Sequence, residues 1–198
     1  MRIRNSIYYI LLATIIVNLG CAPPILDPGK QYYLAHNIWF ERPKKINSIN
    51  YKTGTILPAG SKVNNIGYIE KQYEDWSYLH FKLEGWDYLF LLEIGKFQKG
   101  LTLKELAERT FVTQDFEALT HGLTREELQC IKAGIVREGM SKRAVIIALG
   151  YPPRHRTLHL TNNVWYYWLN RWESKPIHFN SDGIVISGKE RQDVIQVE

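Results

Sequence analysis

Apolar residues follow four different spacings along this 198-residue chain. They form an unbroken run at residues 7–17, short aromatic and β-branched runs at 32–95, helical spacing from Leu101 to Leu149, and alternation after residue 163. Short runs separated by turn residues are typical of strands in a small barrel or curled sheet, and i, i+3, i+4 spacing is typical of helices. The pattern predicts an α+β fold in which a small all-β module comes first, followed by helices and then more strands.

The predicted β module covers residues 32–95. Its apolar runs at 76–82 and 86–92 flank Leu83-Glu-Gly85, which is typical of a hairpin turn. Residues 54–63 resemble the strand–turn–strand unit of bacterial SH3-like domains. This resemblance implies an SH3-like fold for the module.

Hydroxyl residues mark the beginnings of three predicted helices. Thr102 and Thr124 are each followed three positions later by a glutamate, Glu105 and Glu127, which is the capping-box pattern. Ser141 begins the third helix without the acid. We therefore expect a helical connector first and then a pair of helices close in sequence.

The next predicted strand, Asn163-Val-Trp-Tyr-Tyr-Trp-Leu169, is apolar on both alternating faces. Two helices cover only one face of a three-stranded sheet, so the other face needs a different neighbour. Val164, Tyr166 and Trp168 share one face and form the candidate partner-binding surface. The alternatives are packing against the N-terminal module or contact with the membrane interface that Trp and Tyr favour.

One set of residues near the C-terminus has the order and spacing of a known family: Gly139-Met140-Ser141, Val145, Leu149-Gly150-Tyr-Pro152, Trp165-Tyr166 and Phe179-Asn-Ser-Asp-Gly183. It resembles the SmpA/OmlA domain, the BamE-like fold, of outer-membrane lipoproteins. The resemblance implies two helices on a three-stranded antiparallel sheet (αα-βββ), and BamE itself is a subunit of the outer-membrane β-barrel assembly machine. The matching residues are caps, turns and core positions, and about a hundred residues separate Cys21 from the domain, unlike BamE. The resemblance therefore implies fold rather than partner contacts.

The N-terminus has the pattern of an export signal. Arg2 and Arg4 precede the apolar run 7–17, which is too short to span a bilayer. Gly20-Cys21 resembles the lipobox of bacterial lipoproteins, with Asn18 where that motif usually carries Leu, and implies lipidation of Cys21. An uncleaved anchor, or ordinary cleavage that leaves a free cysteine, is the alternative.

Charge and chemistry exclude several classes of function. The formal net charge of +5 falls to +3 once Arg2 and Arg4 are removed with the signal. Lys and Arg are scattered rather than clustered, so no basic stripe or run indicates nucleic-acid binding. Cys130 has no disulfide partner if Cys21 is lipidated. His155 and His159 lie four residues apart with no third ligand nearby in sequence, and no nucleophile elbow or phosphate loop is present. We expect no catalytic residues, no metal and no cofactor.

The expected organisation has six segments: a signal peptide (1–20), a tether (21–31), the SH3-like module (32–95), a helical connector (96–122), the BamE-like domain (123–188) and a charged tail (189–198). The expected function is that of a non-catalytic, lipid-anchored outer-membrane lipoprotein, facing the periplasm. It would act as a scaffold or accessory subunit in envelope protein assembly, with barrel-assembly components as possible partners. The alternative is a lipoprotein that binds peptidoglycan through its SH3-like module.

Overall fold

The computed structural model describes residues 24–70, 77–94, 98 and 100–187. The predicted signal peptide, Cys21 and the charged tail 189–198 lie outside the described residues. The described part has an α+β fold, in agreement with the sequence pattern. Its strands are β1 Tyr32–Leu34, β2 Ile38–Phe40, β3 Ile46–Asn47, β4 Thr55–Leu57, β5 Lys62–Glu70, β6 Ser77–Leu83, β7 Phe90–Ile94, β8 Phe111–Val112, β9 Val164–Trp168, β10 Ser174–Phe179 and β11 Val185–Ile186. Its helices are α1 Leu103–Thr110, α2 Phe116–Thr120, α3 Arg125–Ala133 and α4 Lys142–Leu149.

A six-stranded sheet forms most of the N-terminal half, in the order β3-β7-β6-β5-β1-β8. Its pairs are antiparallel except β3 with β7. The register of β5 against β6 shifts between Asn64 and Gly67, where a Cβ on Gly67 would lie 2.4 Å from the His80 imidazole. Glycine at this position lets the two strands approach closely. A separate antiparallel pair, β2 with β4, packs beside the sheet.

The segment 96–122 holds strand β8 in addition to helices α1 and α2. β8 pairs with β1 and so adds the last strand to the N-terminal sheet. α1 packs its buried Leu106 and Ala107 into the same core as Leu34, Phe81 and Phe90. α1 and β8 are therefore part of the N-terminal core, whereas Phe116 and Leu119 of α2 pack against the C-terminal core.

The hairpin predicted at Leu83-Glu-Gly85 is present, but its second strand begins later than expected. β7 begins at Phe90, whereas the apolar pattern begins at Trp86. The Trp86 ring packs edge-on against Phe40 and Phe90, with centroids 5.9 and 5.8 Å apart. Apolar residues at the beginning of this run thus fill a cluster of rings instead of a strand ladder.

In the C-terminal half, α3 and α4 pack on a three-stranded antiparallel sheet ordered β11-β10-β9. Trp165 and Tyr167 point inward from β9 and are 1% and 2% exposed. They meet Val145 and Ala148 of α4, both fully buried. The order of two helices followed by three strands is the one the sequence predicts.

One of the two hydrophobic clusters among the described residues contains side chains from both halves. Trp39 of β2 and Ala59, which follows β4, belong to the same buried cluster as α3, α4 and the inner face of β9, and Ile56 packs against it. Gly134, the left-handed C-cap of α3, lies under this contact, because a Cβ there would be 2.7 Å from both Ile56 and Trp39. The β2–β4 pair therefore joins the N-terminal sheet to the C-terminal helices.

Buried polar side chains of the N-terminal half satisfy the C-terminal ends of both helices. Asn37 donates its amide to the carbonyls of Ile131 in α3, at 2.6 Å, and Ala148 in α4, at 3.0 Å. The Asn50 amide and the Lys52 ammonium both donate to the carbonyl of Leu149, at 3.0 and 2.5 Å. The last carbonyls of a helix have no intrahelical donor and carry partial negative charge, so these contacts stabilise the helix ends.

Candidate functional site

The outer face of β9 is the candidate partner-binding surface that the sequence predicts. Val164, Tyr166 and Trp168 are all half-buried and alternate with the buried Trp165 and Tyr167. β9 is an edge strand of its sheet, because it pairs only with β10 among the described strands. The alternation predicted from sequence is therefore present, and the candidate residues do share one face.

The loop that precedes β9 covers part of this outer face. The His155 imidazole stacks on Trp168, with centroids 6.0 Å apart, and its Nε2 accepts a hydrogen bond from the indole Nε1 at 3.1 Å. The Arg156 guanidinium lies 4.8 Å from the centre of the Tyr166 ring. Thr157 accepts a hydrogen bond from the backbone N–H of Tyr166 at 3.0 Å, which occupies one outward-facing amide of the edge. The chain's own loop, rather than its N-terminal half, makes these contacts.

Two large apolar side chains beside β9 stay in solvent. Leu158, in the loop before the strand, is 71% exposed, and Trp172, in the β9–β10 turn, is 84% exposed. Asn170 fixes this turn, since its Oδ1 accepts the backbone N–H groups of Trp172 and Glu173 at 2.8 and 3.0 Å. An exposed Trp on a hydrogen-bonded turn is a fixed aromatic contact point.

Trp172 also lies at the rim of a large cleft that the sequence did not indicate. The cleft has a volume of about 1080 Å³ and lies between the segment 39–53 and the β9–β10 turn. We call it the basic cleft, after its four lining cations Arg42, Lys44, Lys45 and Arg171. Aromatic side chains line it as well, namely Trp39, Phe40, Tyr51, Tyr78 and Trp172.

Positive charge exceeds negative charge in this cleft. Its acidic lining residues are Glu41 and Glu93. Burial raises the pKa of the Glu93 carboxyl, and the positive charge of Lys45 opposes that rise. None of the four cations forms an ion pair within 4.0 Å with another residue of the described part of the chain. Among the described residues, the charges of Arg42, Lys44 and Arg171 are therefore not neutralised by an ion pair.

Two further candidates weighed from the sequence, the Cys130 thiol and a metal site, can be compared with the structure. Cys130 is buried in the core between α3, α4 and the sheet. Within residues 24–70, 77–94, 98 and 100–187, no three His, Cys, Asp or Glu side chains cluster as metal ligands would. The same residues contain no helix of the length and apolarity needed to cross a membrane.

Comparison with known proteins identifies no relative. No protein-family model matches the chain, and neither a curated protein nor a solved structure matches it.

Sequence reasoning found the outer face of β9 but missed the basic cleft. The short cluster Arg42-Pro-Lys-Lys45 and the pair Arg171-Trp172 are visible in the sequence, but about 130 residues separate them. Only the packing of the β2–β4 pair on the C-terminal half brings them to one cleft. One hydrogen bond joins the two segments directly, from the backbone N–H of Lys52 to the carbonyl of Leu169 at 3.0 Å.

Proposed function

We propose that this chain is a non-catalytic, lipid-anchored lipoprotein of the outer membrane that acts as a scaffold or accessory subunit in envelope protein assembly. In this proposal Cys21 carries the lipid, residues 32–95 are an SH3-like module and residues 123–188 are a BamE-like domain facing the periplasm. The α+β fold and the order of two helices followed by three strands support it. So does the signal pattern before Cys21.

The observation that carries the proposal is the aromatic surface along β9. Val164, Tyr166 and Trp168 offer a half-exposed apolar face on an edge strand, and Leu158 and Trp172 project beside it. Clustered exposed aromatic residues are enriched where proteins bind other proteins. Exposed aromatic side chains beside an edge strand favour a role in contact with a partner protein.

A photo-crosslinking amino acid placed at Tyr166 of the full-length chain tests the partner. After irradiation of native envelopes we expect a covalent adduct with a barrel-assembly component. The matched control carries the same amino acid at Glu108, on the exposed side of α1, and should give no adduct. Irradiation that yields no protein adduct at position 166 would contradict the scaffold function.

Mass spectrometry of the purified chain tests the anchor independently. We expect the N-terminal peptide to begin at Cys21 and to carry acyl chains, and a Cys21→Ser variant to lose membrane association. Two or more acyl chains are needed for stable anchoring, because each buried methylene contributes about 0.8 kcal/mol. An unmodified thiol at Cys21 would refute this part of the proposal.

The second candidate function is binding of peptidoglycan by the N-terminal module. The observation that favours it is that most of the basic cleft belongs to residues 39–53 and includes aromatic rings able to stack on sugars. Sedimentation of the full-length chain with purified murein sacculi tests it. The full chain is required because Leu106 and Phe111, outside residues 32–95, complete the core of this module, and because Trp39 packs in the core of the C-terminal half.

A further inference from the structure

We infer that the basic cleft binds an acidic segment of a protein partner. The inference rests on the scaffold function proposed above and adds the chemistry of the partner to it. Arg42, Lys44 and Arg171 supply the charge, and Trp172 supplies an aromatic anchor at the rim.

Charge is the first argument. Arg42, Lys44 and Arg171 are exposed and form no ion pair within the described part of the chain. Lys45 differs from them because it lies near enough to Glu93 to affect the pKa of that carboxyl. Unpaired cations in a shared concavity raise the local concentration of anions and speed the association of an acidic partner.

The shape of the cleft separates an acidic chain segment from other anions. Its volume of about 1080 Å³ is at the upper limit of the roughly 300–1000 Å³ of small-molecule pockets, which is room for several residues of an extended segment. A membrane surface is nearly flat and would reach only the rim of such a cleft. A neutral sugar would stack on the rings and leave the three cations without partners. An extended acidic segment with an apolar residue satisfies both the charges and the rings.

The rim tryptophan supplies the third argument. Trp172 is 84% exposed, the Arg171 guanidinium lies 5.3 Å from the centre of its ring, and Asn170 holds the turn. Tryptophan and arginine are the residue types most enriched among those that dominate binding energy at protein interfaces. A turn already fixed in the free protein loses little entropy on binding.

Fluorescence anisotropy with a labelled peptide tests the inference. The probe is a ten-residue peptide of glutamates around one central phenylalanine, and the control peptide has lysine in place of each glutamate. With the purified full-length chain in detergent we expect the acidic peptide to bind and the basic peptide not to bind.

The triple variant Arg42→Gln, Lys44→Gln, Arg171→Gln should weaken binding of the acidic peptide at least tenfold and reduce the dependence of that binding on salt. Trp172→Ala should weaken binding at least fivefold and leave the dependence on salt unchanged.

A matched triple variant controls for net charge. Lys82→Gln, Lys104→Gln and Arg125→Gln remove the same charge from exposed positions outside the cleft and should change the affinity less than twofold. Equal weakening by the two triple variants would overturn the inference. So would tighter binding to sacculi, or to vesicles containing an anionic phospholipid, than to the acidic peptide, if the cleft variant abolished that binding.

The two proposals fail in different experiments. Crosslinking from position 166 to a barrel-assembly component that persists unchanged in the cleft variant, together with no peptide binding, refutes the acidic-segment inference and leaves the scaffold function. Peptide binding through the cleft without any protein adduct at position 166 refutes the scaffold function.

Discussion

At the scale of single residues, Asn37 makes the densest set of polar contacts between the two halves. It is 1% exposed, and its side chain donates to the carbonyls of Ile131 and Ala148 and accepts the backbone N–H of Ala59 at 2.8 Å. Its own carbonyl accepts from His36 and from Asn50, both at 3.0 Å. Every side-chain contact of this residue is to buried backbone, so no other residue type has the right donors and acceptor in so short a side chain.

Replacement of Asn37 by Ala should lower the free energy of unfolding by about 3 kcal/mol. It removes the side-chain partners of the Ala148 carbonyl and the Ala59 N–H, at roughly 1–3 kcal/mol each, and leaves the Ile131 carbonyl with only the N–H of Gly134. Urea denaturation of the two proteins measures the difference. Asn64→Ala, at an exposed strand position, is the matched control and should change stability by less than about 0.5 kcal/mol. A similar loss of stability in both variants would mean that the hydrogen bonds of Asn37 make no specific contribution to the fold.

His36 adds a dependence on pH. Burial lowers the pKa of its imidazole from 6.5 to about 4, the hydrogen bond to the Asn37 carbonyl opposes the shift, and the charge of Lys52 reinforces it. The folded protein disfavours the imidazolium. The contribution of neutral His36 to the free energy of unfolding is therefore complete above about pH 6.5 and is lost as the pH falls toward 4. This lowering of the pKa corresponds to about 3 kcal/mol in the free energy of unfolding.

We therefore expect the free energy of unfolding of the native chain to fall between pH 7 and pH 4.5 more steeply than that of His36→Gln. Chemical denaturation at several pH values gives both slopes. His159→Gln, in an exposed loop position, should keep the slope of the native chain. Identical slopes in the native chain and His36→Gln would show that His36 is not the group that titrates.

At the scale of elements, the same sequence signature has two different outcomes. Thr124 and Glu127 form the capping box that their spacing predicts, with the Glu127 carboxylate accepting the Thr124 N–H at 2.9 Å. Thr102 caps α1 as expected, but the Glu105 carboxylate binds Arg109 at 2.7 Å and Arg154 at 2.6 Å. The spacing of a cap is local and can be predicted, whereas the competition from Arg154, 49 residues away, depends on tertiary packing.

Glu127 also joins two helices. Its carboxylate accepts the backbone N–H of Ser141 at 2.9 Å and the hydroxyl of Ser141 at 2.7 Å, so it links the beginning of α3 to the beginning of α4. Burial would raise the pKa of Glu127, but the hydrogen bonds from Ser141 and Thr124 outweigh burial and lower the pKa. The ionised form is the one that the fold stabilises.

Glu127→Gln should lower the free energy of unfolding by about 2 kcal/mol, because the amide replaces one accepting oxygen with a donor among three donors. The matched control is Glu126→Gln, on the exposed side of the same helical turn, with an expected change below about 0.5 kcal/mol. Thermal and urea unfolding at pH 7 check both values. At a pH well below the usual carboxyl pKa the native chain and Glu127→Gln should become closer in stability, since protonation removes the same acceptor.

The distinction between local sequence patterns and tertiary packing also explains which parts of the candidate site could be predicted. Alternation along β9 separates Trp165 and Tyr167 from Val164, Tyr166 and Trp168, and this assignment depends only on the period of a strand. The cover that His155 provides, and the basic cleft, depend on how loops fold back and how distant segments pack. No local pattern encodes those contacts.

At the scale of the whole molecule, the β2–β4 pair makes the two halves depend on each other. Trp39 and Ala59 lie in the C-terminal core, and the N-terminal half supplies donors to the last carbonyls of α3 and α4. The C-terminal half therefore has neither a complete core nor satisfied helix ends without the N-terminal half. If the two halves were separated, water could replace the donors to the helix carbonyls, but nothing would replace the apolar contacts around Trp39.

We therefore expect the full-length chain to unfold in a single transition, with identical urea midpoints from far-UV circular dichroism and from tryptophan fluorescence. Residues 123–188 expressed alone should lack a cooperative transition, because Trp39 and the donors from Asn37, Asn50 and Lys52 are missing. Asn37→Ala, at the junction, should shift both midpoints together by the same amount. Separate midpoints in the full chain, or a stable and cooperative fragment, would mean that the two halves are independent domains joined by a surface contact.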